Sequence, residues 1–258
     1  MRLSETIIEQ EPAVGSWITL RDPSVAELTA EIGFDFVVLD IEHTPNTMET
    51  VIELVRAVDA ADSHTEAIVR LPWNDPVVVK RVLDTGASGV MAPMIESEAE
   101  AETLVEATRY PPEGVRGVAG SRASRYGLEM EEYYWTASDD IVTIAQIETD
   151  RGLENVAEIA AVDGLDALFV GPADLSANLG CYGEWDSEEF LAAVDEIVET
   201  AHDAETAVST LAVQNADIKR WVHRGFDFVM AGIDTTHVLA GSQRAKSTFE
   251  EAIEERES

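Results

Sequence analysis

Eight short apolar runs, each followed by a stretch with helical spacing, set the tightest limit on what this 258-residue chain can fold into. The runs cover 14–20, 36–41, 67–71, 89–93, 141–147, 167–170, 207–211 and 226–231. Most are apolar at consecutive positions and rich in β-branched residues, the pattern of strands buried on both faces of a parallel sheet. Between and after them, 24–32, 47–61, 76–84, 97–109, 153–161, 187–203, 215–224 and 236–254 carry helical spacing, with Pro23 opening the first and Gly33 and Gly86 as stops. Residues 2–10 predict a short helix across the barrel bottom. Eight strands alternating with eight helices predict an α/β chain folded as a (β/α)8 TIM barrel, one domain over 1–258, at the usual length for that fold. A doubly wound open sheet is the competing topology, but no glycine-rich dinucleotide fingerprint follows the first run.

A barrel of this kind builds its active site at the C-terminal strand ends. Glu148 stands directly after the fifth run, and Asp174 is expected in a loop after Gly171-Pro172 breaks the sixth. A right-handed crossover between those strands brings both carboxylates to one sheet edge. Two hard oxygen ligands suit Mg²⁺ or Mn²⁺, which keep positions for water or substrate. The bland alternative is two surface acids among 51, and spacing alone leaves both open. The same edge collects His43 after the second run, Arg70 near the end of the third and Gln146 in the fifth. His64, His202, His223 and His237 fall on helices or outer loops and are expected to be solvated.

Against 51 acidic residues stand 17 basic ones, a net charge of −34, which argues against nucleic acid or an anionic membrane as partner. The acids are dispersed through a chain that is 45% hydrophobic, so they predict a folded, heavily charged surface suited to very high salt, not a disordered tail. Cys181 has no second cysteine for a disulfide or a thiolate metal site. Residues 1–10 lack a signal-peptide core and no stretch is long enough to span a membrane, so a cytoplasmic protein is expected. Lys80, Lys219 and Lys246 all fall in predicted helices, which disfavours Schiff-base chemistry inside the barrel.

Six motifs occur in order along the chain: Asp40-Ile41-Glu42-His43, Val69-Arg70-Leu71-Pro72, Leu83-Asp84-Thr85-Gly86-Ala87, Tyr110 through Gly117, Gln146-Ile147-Glu148-Thr149 and Gly171-Pro172-Ala173-Asp174-Leu175-Ser176. Together they resemble the HpcH/HpaI aldolases, metal-dependent class II pyruvate aldolases. The resemblance implies reversible cleavage of a 4-hydroxy-2-oxo acid to pyruvate and an aldehyde through a metal-stabilised enolate. It implies Glu148 and Asp174 as ligands of Mg²⁺, Mn²⁺ or Co²⁺, with Gln146 and the backbone N–H of Ala173 orienting the 2-oxo acid. Arg70 would stabilise the enolate oxygen, and His43 would act as general base with Asp84 raising its basicity. It also implies a homo-oligomer, as in the hexamers of the family.

Some features sit uneasily with that pattern. Asp84 ends a predicted helix, which points it to the barrel bottom, away from His43 unless a neighbouring subunit or a local distortion intervenes. Thr44 follows His43 where a small residue is common, and Val208-Ser209-Thr210-Leu211 is not a glycine-led segment, so substrate size can differ there. Residues 113–134 form the one long connection, and its Arg116, Arg122 and Arg125 are candidates for a distal carboxylate, a phosphate or salt bridges at a subunit contact. Trp17 is either packing or pocket wall. A CoA-thioester lyase, a phosphoenolpyruvate-type enzyme and a non-catalytic 2-oxo acid or metal-binding protein are the competing functions. Retention of His43 and Arg70 argues against the last, because metal binding needs neither.

Overall fold

The apolar runs become strands β1 (Ala13–Ile18), β2 (Phe36–Asp40), β3 (Glu66–Arg70), β4 (Gly89–Ala92), β5 (Val142–Ile147), β6 (Ala167–Val170), β7 (Ala207–Ala212) and β8 (Phe228–Ile233). They come from a computed structural model that describes residues 2–257. Each strand pairs in parallel with its neighbours in sequence, and β1 pairs with β8. The sheet therefore closes, as expected, into a (β/α)8 barrel.

Around it lie α1 (Leu3–Ile8), α2 (Pro23–Glu31), α3 (Met48–Ala60), α4 (Pro76–Leu83), α5 (Glu98–Thr108), α6 (Met130–Asp140), α7 (Asp150–Glu154), α8 (Val156–Ala160), α9 (Pro172–Asn178), α10 (Glu188–Asp203), α11 (Asn215–His223) and α12 (Asp234–Glu257). Two apolar clusters result from the two faces of each strand. One fills the shell between strands and helices, through Val37, Leu39, Val69, Leu83, Leu104, Ile147, Leu168 and Phe190. The other fills the barrel interior, through Phe36, Ile68, Met91, Ile144, Phe169, Phe228 and Met230, and α1 plugs its lower end with Leu3 and Ile7. That plug is tied in place where the Leu3 N–H donates to Glu66 at the start of β3 (2.8 Å).

Three strand entrances share a device that repeats in the sequence as Gly-x-Asp. Gly33-Phe34-Asp35, Gly164-Leu165-Asp166 and Gly225-Phe226-Asp227 each put a glycine at positive φ (87°, 86° and 93°), a conformation costly for other residues. The aspartate then precedes an even-numbered strand and accepts the N–H of the second residue of the odd strand beside it. The bonds run from Val14 (2.8 Å), Thr143 (2.7 Å) and Val208 (2.8 Å). This explains why β8 starts at Phe228 rather than at the expected 226, since Asp227 is occupied as a staple.

Other boundaries differ for equally local reasons. The first strand stops at Ile18 because the N–H groups of Thr19 and Leu20 turn to the Asp234 carboxylate (3.0 and 2.8 Å) instead of the ladder. The single helix expected over 153–161 is broken into α7 and α8 at Asn155, whose side chain donates to the Glu96 carbonyl (2.7 Å). The long connection carries a 3₁₀ turn (Arg125–Gly127) and then α6, so twelve α-helices occur among the described residues where nine were expected, the short N-terminal one included. Of the histidines expected to be solvated, His202 departs: it is partly buried and its Nε2 lies 3.1 Å from the Asp227 carboxylate.

Candidate active site

Asp40 and Arg70 are register partners at the ends of β2 and β3, so their side chains leave the sheet on the same side. Arg70 donates through Nε and Nη2 to the two Asp40 oxygens (2.9 and 2.7 Å). Its third nitrogen, Nη1, lies 2.8 Å from a Glu42 oxygen. The guanidinium also stacks over the Trp17 ring at 4.7 Å. A planar fork held on three sides loses little freedom when it meets a further anion. Trp17 is thus both packing and floor: it contacts Phe169 across the interior (5.7 Å between centroids) while carrying Arg70 above.

Opposite, the end of β5 presents Gln146 and Glu148, both buried. Glu148 Oε1 accepts the N–H of Met94 (2.8 Å), and Oε2 accepts a short hydrogen bond from Gln146 Nε2. Gly171 makes this pairing possible, since a Cβ there would stand 2.7 Å from Glu148 Oε2 and 2.9 Å from Gln146 Nε2. Asp174 is the third residue of α9, not a loop residue as expected, because Pro172 at the first position starts the helix immediately after β6. Ala173, at the second position, offers one of the N-terminal N–H groups that have no acceptor within a helix.

The electrostatics are those of a site short of positive charge. Burial pushes the Glu148 carboxyl up from 4.5 to about 7, and the negative charges of Asp174 and Glu42 add to the rise against the Met94 and Gln146 hydrogen bonds. Glu42 is also raised, chiefly by burial and with Asp40 and Asp174 contributing, although Arg70 and His43 oppose it. Arg70 is thus paired with Asp40 and Glu42, and no cation acts on Glu148 among the causes of its shift. Gln146 Oε1 is buried without a hydrogen-bond partner among the described residues. Two carboxylates and an unused amide oxygen form a hard-oxygen donor set that fits a divalent cation. Among the described residues no three His, Cys, Asp or Glu side chains form a metal cluster, so Glu148 and Asp174 stand as an incomplete pair.

His43 sits at the mouth with its side chain 69% exposed and Nε2 3.8 Å from Glu42. The interior beneath β1, β6, β7 and β8 is apolar by contrast, with Leu211 and Ile233 packed against the cluster that holds Trp17 and Phe169.

The family model for HpcH/HpaI aldolase/citrate lyase matches residues 13–240. The chain belongs to the HpcH/HpaI aldolase/citrate lyase family. It is 39% identical over 240 residues to the 4-hydroxy-2-oxo-heptane-1,7-dioate aldolase of Salmonella typhimurium strain LT2, covering 92% of this chain and 90% of the relative. Among solved structures it is similar to an HpcH/HpaI aldolase/citrate lyase family protein from Burkholderia cenocepacia J2315 (35% identity, TM-score 0.93, 96% and 98% of the two chains). It is also similar to an HpcH/HpaI aldolase from Desulfitobacterium hafniense DCB-2 (28% identity, TM-score 0.88, 97% of each chain).

Of the residues that the HpcH/HpaI resemblance implicated, His43, Arg70, Gln146, Glu148, Ala173 and Asp174 all belong to segments at the C-terminal ends of β2, β3, β5 and β6. Asp84 does not join them within this chain. It caps the C-terminal end of α4, where its backbone carbonyl accepts from Ala123 and its carboxylate lies 3.6 Å from Arg116. A strand of about five residues, at roughly 3.3 Å each, separates that end of the barrel from His43. Arg116, Arg122 and Arg125 are likewise occupied elsewhere. Arg116 is 1% exposed and stacks on Tyr110 and Tyr133 (4.7 and 5.5 Å). Arg122 pairs with Asp59 and Arg125 with Glu129. Asp40 and Glu42 lie in the Asp40-Ile41-Glu42-His43 motif, which by itself assigns neither the task of holding Arg70. The signal was available, because strands two and three end on residues of opposite charge.

Proposed function

We propose that this chain is a metal-dependent class II aldolase that cleaves a 4-hydroxy-2-oxo acid reversibly to pyruvate and an aldehyde. The observation that carries this reading is the buried Glu148–Gln146 pair, starved of positive charge, on the same barrel mouth as an arginine immobilised by Asp40 and Glu42. Glu148 and Asp174 would hold Mg²⁺, Mn²⁺ or Co²⁺, with the Gln146 oxygen available to the cation or to a water on it. Such a cation supplies Lewis-acid charge to the 2-oxo acid head group.

In the cleavage direction His43 takes the proton of the C4 hydroxyl, the C3–C4 bond breaks, and the electron pair moves toward the C2 oxygen. Arg70 faces that growing negative charge with its fork already oriented, so little reorganisation opposes the step. The aldehyde departs and C3 takes a proton to give pyruvate. Exposure of His43 at the mouth suits a base that must meet the hydroxyl of a variable aldehyde. Glu42, at 3.8 Å, is the carboxylate this chain itself places beside His43. Asp84 could serve His43 only from a neighbouring copy. The half-buried Leu211 and Ile233, packed on the cluster that holds Trp17 and Phe169, would give the carbon chain of the substrate an apolar surface, while the Ala173 N–H would meet its carboxylate.

The remaining expectations belong to the same proposal: one domain over 1–258, a homo-oligomer, and a cytoplasmic protein adapted to high salt. Association is favoured by exposed apolar side chains on α12 and near α6, including Val238, Phe249, Leu128 and Trp135. No helix among the described residues is long and apolar enough to cross a membrane.

The test is pyruvate release from a panel of 4-hydroxy-2-oxo acids in concentrated KCl, with and without EDTA, for wild type and Glu148→Ala. Pyruvate formed only with metal and intact Glu148 is the expected result. Pyruvate formed equally in EDTA, or none from any substrate by folded, metal-loaded protein, would overturn it.

A further inference from the structure

The last residue of α9 makes two bonds that its position in a helix does not require. Asn178 stands four residues after Asp174, and its Nδ2 donates to the Asp174 carbonyl (3.0 Å) and to the Glu148 carbonyl (3.0 Å). Reaching back to the fourth preceding carbonyl is a common side-chain habit on helices. Spending the second hydrogen of the same amide on the end of a different strand is not part of that habit. One planar NH₂ group thereby fixes the backbone of Glu148, beyond β5, to the backbone of Asp174, in the first turn of α9.

A second, independent contact acts on the side chain of Glu148, whose backbone Asn178 holds. Met94, two residues after β4, has φ of 57°, in the left-handed region that L side chains adopt only under strain. In that conformation its N–H reaches Glu148 Oε1 at 2.8 Å. The following residue, Ile95, donates its N–H to the Gln146 carbonyl (3.3 Å), so the turn is anchored to β5 at two points.

We propose that Asn178 is a positioning residue for the divalent cation of this site: it sets the separation of Glu148 and Asp174 before the cation arrives, and the strained Met94 turn completes the frame. The inference rests on the reading of Glu148 and Asp174 as metal ligands. Groups that orient ligands from behind typically change metal affinity by 10–100-fold when removed. A cation bound by two carboxylates from separate elements depends on their spacing more than one held by a closed cage, because neither ligand constrains the other through the chain.

Calorimetric titration of Mn²⁺ into metal-free, full-chain protein in concentrated KCl separates the possibilities. Asn178→Ala is expected to weaken Mn²⁺ binding by about 10-fold or more, with the melting temperature of the metal-free protein close to wild type. Asn178→Ser, which keeps a shorter donor, is expected to fall between the two. At saturating Mn²⁺ the alanine variant should recover most of its kcat, since its defect lies in ligand spacing. Wild-type Mn²⁺ affinity in Asn178→Ala overturns the positioning role alone. A wild-type protein that binds no Mn²⁺ overturns the metal reading and this inference with it. Loss of Mn²⁺ affinity accompanied by an equal loss of metal-free stability in both variants would make Asn178 a structural residue and overturn the assignment.

Discussion

Glu148→Gln should stabilise the metal-free protein at neutral and alkaline pH while destroying the metal site, and the structure supplies the size of the effect. The Glu148 carboxyl is 3% exposed and its pKa is pushed up from 4.5 to about 7, first by burial and then by its acidic neighbours. The folded protein therefore holds this proton more tightly than the unfolded chain. Between those two values the folded state binds more protons, so stability falls as pH rises and the loss is complete above about pH 7. At about 1.4 kcal/mol per pH unit, the gap amounts to about 3 kcal/mol. A glutamine removes the charge and keeps the shape. Its carbonyl can accept from Met94, and the Gln146 amide can turn its unpartnered oxygen toward the new NH₂. Thermal unfolding in EDTA and concentrated KCl, run at about pH 5 and about pH 8, reads the difference. The variant and wild type should melt together at the lower pH, and the variant several degrees higher at the upper one. Adding Mn²⁺ should invert the order at the upper pH, because ligand binding raises only the protein that can bind it. A variant that melts at or below wild type at the upper pH without metal would refute the premise that this site lacks positive charge.

Two further substitutions probe the same mouth. Arg70→Lys replaces a fork that meets Asp40 through two bonds and Glu42 through a third with a single ammonium; kcat/KM for pyruvate release should fall about 10²–10³-fold, and a change under about threefold would remove Arg70 from charge stabilisation. Gly171→Ala drives a methyl to 2.7 Å from Glu148 Oε2 and must displace that carboxylate. Mn²⁺ affinity measured by calorimetry should drop about 10–100-fold, and an unchanged affinity would show that Glu148 is free to move without cost to the site.

The barrel and most of its mouth were legible in the chain because both depend on short-range regularities. Consecutive apolar residues with helical spacers force strands that are covered on both faces, and a closed parallel sheet sends every strand's C-terminal residue to the same rim. Residues His43, Arg70, Gln146, Glu148 and Asp174 follow from that rule without reference to any contact. The Gly-x-Asp entrances could also have been read, since 33–35, 164–166 and 225–227 repeat at corresponding points of the fold.

What the tertiary structure alone decided is how those residues are used. Strand register turned Asp40 and Arg70 into a locked pair, and closure of the barrel put Trp17 beneath it. Asp234 reached back from the start of α12 to end β1, Asn155 broke one expected helix in two, and Asn178 joined segments 30 residues apart. Asp84 is the converse case: its place at the end of a helix already pointed it to the barrel bottom, and the fold sets it there, beside Arg116. Periodicity fixes which face of an element a residue occupies. Hydrogen bonds between side chains and distant backbone depend on the final packing distance to within an ångström or so, and one chain read in order carries no record of that distance.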